Sequence, residues 1–120
     1  MLAFFNGEGL AVRQLAAKVD EIYRFYEPRG LRAGFVFLAS QPSPEFISWA
    51  RKLVAPVATV PQEGEKEIRE KYLLNEDFQN LILLSRLNQI REVFYNLQPV
   101  KLEEFVRRLE VFWNDPLLLG

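Results

Sequence analysis

The side chains that most often carry out covalent catalysis or bind transition metals are missing from this sequence. It contains no cysteine and no histidine among its 120 residues. Zinc and iron–sulfur sites, disulfide bonds, thiol nucleophiles and histidine bases are therefore excluded. The serines lack the Gly-x-Ser-x-Gly elbow of a hydrolase nucleophile, and Ser43, which precedes Pro44 and Glu45, is better explained as a helix cap.

Carboxylates are the remaining candidates for acid–base chemistry. Glu8, Asp20 or Glu21 could pair with Glu76 or Asp77 across a cleft, as the two acids of a glycosidase do. We favour the simpler interpretation that these five residues are solvated surface acids. A metal site built from oxygen ligands would need a denser acidic loop than residues 75–77 provide, so neither a metal nor a cofactor is predicted.

A glycine-containing loop, Asn6–Gly9, follows the first apolar run. Its two glycines match the start of a dinucleotide-binding loop, but Val12 stands where the third glycine is needed. No acidic residue ends the next predicted strand, and the lysine of a P-loop is missing. The loop amides could still bind a small ligand or an anion weakly, although Glu8 would oppose the negative charge.

The overall composition is that of one globular domain spanning residues 1–120. Fifteen basic residues and 16 acidic residues give a net charge of −1, and 49% of the chain is hydrophobic. The lack of a basic excess argues against nucleic-acid binding. No apolar run reaches about 18 residues, so no membrane span is predicted. Because no basic segment or cleavage site follows Met1, we expect a cytoplasmic protein.

The spacing of apolar residues predicts alternating strands and helices. Apolar residues recur every three or four positions from Leu10 to Tyr26, which indicates a long amphipathic helix. The run Gly34–Ala39 is apolar on both sides, which is typical of a central strand. The other predicted elements are strands at Leu2–Phe5 and Val57–Val60, helices from Pro44, at Glu65–Tyr72 and at Lys101–Phe112, and a hairpin of Leu81–Leu84 with Ile90–Tyr95. The order predicts an α/β fold with a mixed sheet of about five strands and helices on both faces.

These elements should share one hydrophobic core, made of Leu15, Val19, Phe35, Phe37, Ile82, Leu84, Phe105 and Leu109. The second helix should bury a stripe of Phe46, Ile47, Ala50, Leu53 and Val54. A second aromatic group could line a ligand pocket, but its spacing favours core positions: Tyr23, Phe25, Tyr26 and Trp49. In the hairpin turn, Asn88 is expected to take a positive φ.

The segment Leu2–Ser40 contains Phe4-Phe5, a loop, Arg13, a long helix and then Arg29-Gly30-Leu31. This pattern, with the order of the later elements, resembles the thioredoxin-like redoxins, which include peroxiredoxins and the thiol–disulfide oxidoreductases of cytochrome maturation. The resemblance implies a thioredoxin-like fold. It places Gly9 and Val12 at the two thiol positions and Gln79 at the position of the cis-proline.

The thiol chemistry of those proteins requires a thiolate, so the resemblance implies the fold without the activity. We therefore expect a redox-inactive domain, not an enzyme, that acts as a protein-binding, structural or accessory module. The alternative is a small-ligand or anion-binding protein, or an enzyme with non-thiol chemistry, that uses the loop Asn6–Gly9. A cis bond before a non-proline residue costs about 2.5–4 kcal/mol, so we expect a trans bond before Gln79 and a re-shaped loop from Asn75 to Asn80.

The C-terminal segment is the unusual surface feature of the sequence. Trp113 is followed, after Asn114-Asp115-Pro116, by Leu117, Leu118 and Leu119. An apolar tail must either fold back onto its own domain or be buried in a partner. We predict that these four residues contribute to a contact with another protein or with a second copy of the chain.

Overall fold

The computed structural model describes residues 1–39, 41–72, 74, 79–85, 87 and 89–114, without the side chains of Gln62 and Trp113. Its strands are β1 (Leu2–Asn6), β2 (Gly34–Leu38), β3 (Val57–Thr59), β4 (Gln79–Leu84) and β5 (Ile90–Leu97). Its helices are α1 (Leu10–Tyr26), α2 (Pro44–Ala50), α3 (Gln62–Tyr72) and α4 (Leu102–Asn114). Short 3₁₀ turns precede β2 and α4, at Glu27–Arg29 and Pro99–Lys101.

The five strands form one mixed sheet in the order β3-β2-β1-β4-β5. β1 pairs in parallel with β2, and β2 pairs in parallel with β3. β4 is antiparallel to both β1 and β5, which confirms the predicted hairpin. The Ser85 hydroxyl closes the hairpin by accepting hydrogen bonds from the amides of Leu87 and Gln89. Asn88, for which a positive φ is predicted, lies outside the described residues.

Helices cover both faces of the sheet, as the sequence predicts. α1, α2 and α4 pack on one face with Ala3, Phe5, Leu81 and Leu83. α3 packs on the other face, where Ile68 and Tyr72 meet Phe4, Ile82 and their neighbours. Because successive residues of a strand point to opposite faces, each central strand contributes to both layers.

Two packing predictions need correction. The core is divided into two clusters by the sheet: Ile82 belongs to the α3 side, and Leu84 is partly buried there, apart from Leu15 and Phe105. The buried stripe of α2 is also shorter than predicted. Phe46 and Ala50 are buried and Leu53 is partly buried, but Ile47 is 39% and Val54 47% exposed. Val54 lies beyond the end of α2 at Ala50, and Ile47 lies inside the helix but beside the buried face of Phe46 and Ala50.

The start of each helix agrees with its local sequence. The Phe46 amide donates to the Ser43 hydroxyl at 3.1 Å, which confirms the predicted cap of α2. α1 follows the loop Asn6–Gly9, in which Gly7 has a φ of 87°, a conformation that side chains disfavour. Gly9 is the N-cap of α1 and has no side chain to accept from the first amides.

Candidate functional site

The first turn of α1 and the start of β4 meet at one end of the sheet. Val12 and Gln79, which the resemblance aligns with the second thiol and the cis-proline, line the same cavity. Gly9 is exposed one turn earlier, and a Cβ built on it meets no atom within 4 Å. The structure thus brings Val12 and Gln79 together and leaves open space at Gly9. No cis peptide bond occurs among the described residues, and the bond between residues 78 and 79 lies outside them.

This cavity, which we call the α1–β5 groove, has a volume of about 230 Å³. Its walls are the first two turns of α1, the start of β4 and the end of β5 with the turn that follows. The apolar lining residues are Ala11, Val12, Leu15, Leu97 and Pro99. The polar lining residues are four carboxamides, Gln14, Gln79, Asn96 and Gln98, and one charged residue, Lys18. Such a lining offers hydrogen-bond donors and acceptors above an apolar floor.

A polar network holds the end of β1 beside this groove. The Asn6 amide donates to Oε1 of Gln79, and Oδ1 of Asn6 accepts from Nη2 of Arg69 at 2.6 Å. Arg69 also lies 3.9 Å from a carboxylate oxygen of Glu65 on the same helix. Asn6 thus joins β1 to β4 through its backbone amide and β1 to α3 through its side chain, and the first of these bonds holds the Gln79 side chain at the end of β1.

The loop Asn6–Gly9 is occupied by its own side chains and backbone. The Gly7 amide donates to the Leu38 carbonyl at 3.3 Å, and the Glu8 carboxylate accepts from the Ser43 amide at 3.0 Å. A fixed carboxylate at this place repels an anion that would approach the start of α1. The geometry is therefore unfavourable to the anion-binding alternative.

The candidate carboxylates do not form a catalytic pair among the residues that the structure describes. Asp20 is 1% exposed and accepts from the amides of Val54 at 3.1 Å and Ala55 at 2.9 Å. Its Oδ2 also lies 3.4 Å from Nε of Arg24. The expectation that Asp20 is a solvated surface acid is wrong, because this side of α1 faces the α2–β3 connection. Glu21 is exposed, and Glu76 and Asp77 lie outside the described residues.

The aromatic residues of α1 and α2 divide between core and surface. Tyr23 and Tyr26 are buried in the core, as predicted, and Trp49 is partly buried against the rings of Phe37 and Phe46. Phe25 differs from the prediction: it is 64% exposed, with the Arg29 guanidinium 5.7 Å from its ring. None of the four lines the α1–β5 groove.

Tyr26 connects the end of α1 to the end of α4. Its hydroxyl donates to Oε1 of Glu110, and Arg29 lies 3.8 Å from the same carboxylate oxygen. Burial, the hydrogen bond to Glu110 and the negative charge of Glu110 raise the pKa of Tyr26 from 10.0 to about 12. The two helices therefore run side by side, with the α1–β5 groove at one end and this contact at the other.

The raised pKa predicts a loss of stability in alkali. Between pH of about 10 and 12 the unfolded chain releases the Tyr26 proton while the native chain keeps it, so the free energy of unfolding should fall as the pH rises. In denaturant titrations across this pH range, the free energy of unfolding of Tyr26→Phe should fall less steeply with pH than that of the unchanged chain. Tyr95→Phe, at an exposed tyrosine, is the control and should keep the slope of the unchanged chain.

A second prediction tests the thiol positions directly. Residues 9 and 12 are the N-cap and third residue of α1, a spacing that a disulfide can bridge, and thiols at a helix start ionise readily. The unchanged chain should reduce insulin no faster than the background rate of the assay. The double variant Gly9→Cys/Val12→Cys should form an internal disulfide and reduce insulin above that background. Equal activity of the double variant and the two single variants would contradict the assignment.

The residues of the predicted tail contact, Leu117, Leu118 and Leu119, lie outside the described residues, as does the side chain of Trp113. Within the described ranges, no helix combines the length and apolar character needed to cross a bilayer. The same residues contain no group of three acidic side chains that could hold a metal ion.

Comparisons with known proteins identify the fold. No family model and no curated protein matches the chain. A search of solved structures finds a protein from Chlorobium tepidum described as a thiol:disulfide interchange protein, DsbE. The two share 16% identity and a TM-score of 0.72, and the match covers 92% of this chain and 76% of that one. Together with the strand order and the mixed sheet, this similarity shows that the chain has a thioredoxin-like fold, here without any cysteine.

Proposed function

We propose that the chain is a redox-inactive thioredoxin-like domain that binds an extended protein segment in the α1–β5 groove. The observation that carries the proposal is the groove itself, which stays open at Val12 and Gln79 although both thiols are missing.

The groove has the chemistry that an extended peptide requires. Gln98 Nε2 donates to Oδ1 of Asn96 at 2.8 Å, and Gln79 Oε1 accepts from the Asn6 amide. The carboxamide of Gln14, the amide groups of Gln79 and Asn96 and the oxygen of Gln98 can still donate to peptide carbonyls or accept from peptide amides. The floor of Val12, Leu15 and Leu97 can receive an apolar side chain. Main-chain hydrogen bonds would give affinity and the side-chain pocket specificity, as in other proteins that recognise extended peptides.

The loop Asn6–Gly9 offers less to a ligand than the groove does. The Gly7 amide donates to the Leu38 carbonyl, the Asn6 amide donates to Gln79, and the Glu8 carboxylate accepts from the Ser43 amide. Of the serines in the described ranges, Ser43 caps α2 and Ser85 closes the hairpin. The groove is therefore the better supported site.

Selection of displayed peptides on the immobilised full chain tests this function. Ala11 is exposed and lines the groove, so Ala11→Trp should fill the cavity without disturbing the core. Ala58→Trp makes the same change on β3, at the opposite edge of the sheet, and is the control. Selected peptides should bind the control and lose at least about tenfold in affinity for Ala11→Trp. Binding that survives Ala11→Trp, or a selection without binders, would contradict the proposal.

A further inference from the structure

The charge of the α1–β5 groove narrows the choice of segment that it can bind. Lys18 is the one charged residue in the lining, and it forms no ion pair with any residue that the structure describes. An acidic residue on the bound segment would complement this charge, and an aliphatic residue would cover the floor at Val12 and Leu97. The groove therefore favours a segment that combines an acid with aliphatic side chains.

The chain itself contains such a segment immediately after α4. Asp115 is followed by Pro116 and then by Leu117, Leu118 and Leu119. Proline restricts the residue before it to extended conformations, which suits binding as an extended strand. The spacing also agrees: Asp115 and Leu118 are three residues apart, which is about 10 Å in an extended chain. Val12 and Lys18 are six residues apart on α1, which is about 9 Å along the helix.

The segment cannot take this register, with Asp115 at Lys18 and the leucines at Val12 and Leu97, in the groove of its own domain. Pro99 lines the groove, whereas the other end of α4 is held against the end of α1 by the contact of Tyr26 with Glu110. Pro99 and Asn114 are 15 helical steps apart, so Asn114 lies about 22 Å from Pro99, and Asp115 directly follows Asn114, whereas Lys18 lies eight residues, about 12 Å, before Tyr26. Five extended residues carry the chain from Asn114 to Leu119, which is at most about 18 Å. A second copy must therefore supply the segment.

We propose that residues 115–119 of one copy bind in the α1–β5 groove of a second copy. The leucines would pack on Val12, Leu15 and Leu97, and the Asp115 carboxylate would lie near the Lys18 ammonium group. This inference rests on the proposed function and names the segment that the groove binds. The contact is heterologous, so two copies can exchange tails and close a dimer, or a row of copies can grow.

Complementation of two variants tests the proposal. A chain without residues 115–120 keeps the groove and lacks the tail, and Ala11→Trp keeps the tail and fills the groove. In sedimentation velocity, the full chain should associate as its concentration rises, and each variant alone should remain monomeric. An equal mixture of the two should associate again, because one supplies the tail and the other the groove. Circular dichroism establishes that both variants are folded. A mixture that stays monomeric, or association of Ala11→Trp alone, would overturn the proposal.

A labelled peptide of residues 114–120 tests the charge pairing on the tail-less chain. Lys18→Glu should weaken binding roughly two- to tenfold, and a peptide with Asp115→Lys should recover the loss on that variant. Lys52→Glu, the same change on an exposed residue outside the groove, should leave affinity unchanged. Equal affinity of Lys18→Glu and the tail-less parent for the peptide would contradict the pairing of Lys18 with Asp115. If selected peptides bind the groove and the tail peptide does not, the inference fails alone; if neither binds, the proposed function fails as well.

Discussion

Leu83→Ala should lower the free energy of unfolding by about 2–5 kcal/mol, whereas Leu84→Ala should lower it by only about 1–2 kcal/mol. Leu83 is fully buried in the cluster beneath α1 and α4, and its truncation leaves a cavity there. Leu84 points to the opposite face, where it is partly buried beside Ile82. The two neighbouring leucines thus differ in cost because Leu84, the last residue of β4, is only partly buried, although Ile82 on the same face is fully buried.

Urea denaturation of the two variants and the unchanged chain measures this difference. Each variant should unfold with the same denaturant dependence as the parent, so that the midpoints report stability. The pair is its own control, since both changes remove the same atoms from adjacent positions of β4. Equal costs at the two positions, or a larger cost at Leu84, would contradict the division of the core into two clusters.

The order of the elements could be predicted because most of them have one clear period. The spacing of three and four residues in α1, the cap at Ser43 and the double-sided apolar run of β2 are local signals. The division of the core was not predictable in the same way. In Leu81–Leu84 every residue is apolar, so the pattern does not say which residues face α1 and which face α3. That assignment depends on the register in which β4 pairs with β1.

The candidate site was predicted only in part, because its residues are far apart in the sequence. The resemblance placed Val12 and Gln79 together, and they line one groove. Nothing local indicated that Asn96–Pro99 would complete it, since these residues reach α1 through the pairing of β5 with β4. The contact between Asn6 and Arg69 joins residues that are 63 positions apart. Such contacts follow from the topology of the sheet.

Asp20→Ala should lower the free energy of unfolding by about 2–4 kcal/mol, although the side chain lost is that of an acid. The change leaves the amides of Val54 and Ala55 without their acceptor and removes the carboxylate beside Arg24. One signal in the sequence was available: Ala16, one turn earlier, is a small residue on the same side of α1 and is fully buried. A small residue in line with an acid indicates that another segment approaches closely, here the connection between α2 and β3.

Three measurements separate this role from a general effect of charge. Glu21→Ala removes an exposed acid from the next position of α1 and should change stability by less than about 0.5 kcal/mol. Asp20→Asn keeps one oxygen acceptor, so it should fall between the alanine variant and the parent. In hydrogen exchange, Asp20→Ala should accelerate exchange at the amide of Ala55 more than at the amides of β4. Uniform acceleration across the chain would show that Asp20 does not specifically anchor the α2–β3 connection, and equal stability of Asp20→Ala and Glu21→Ala would show that its buried contacts contribute nothing.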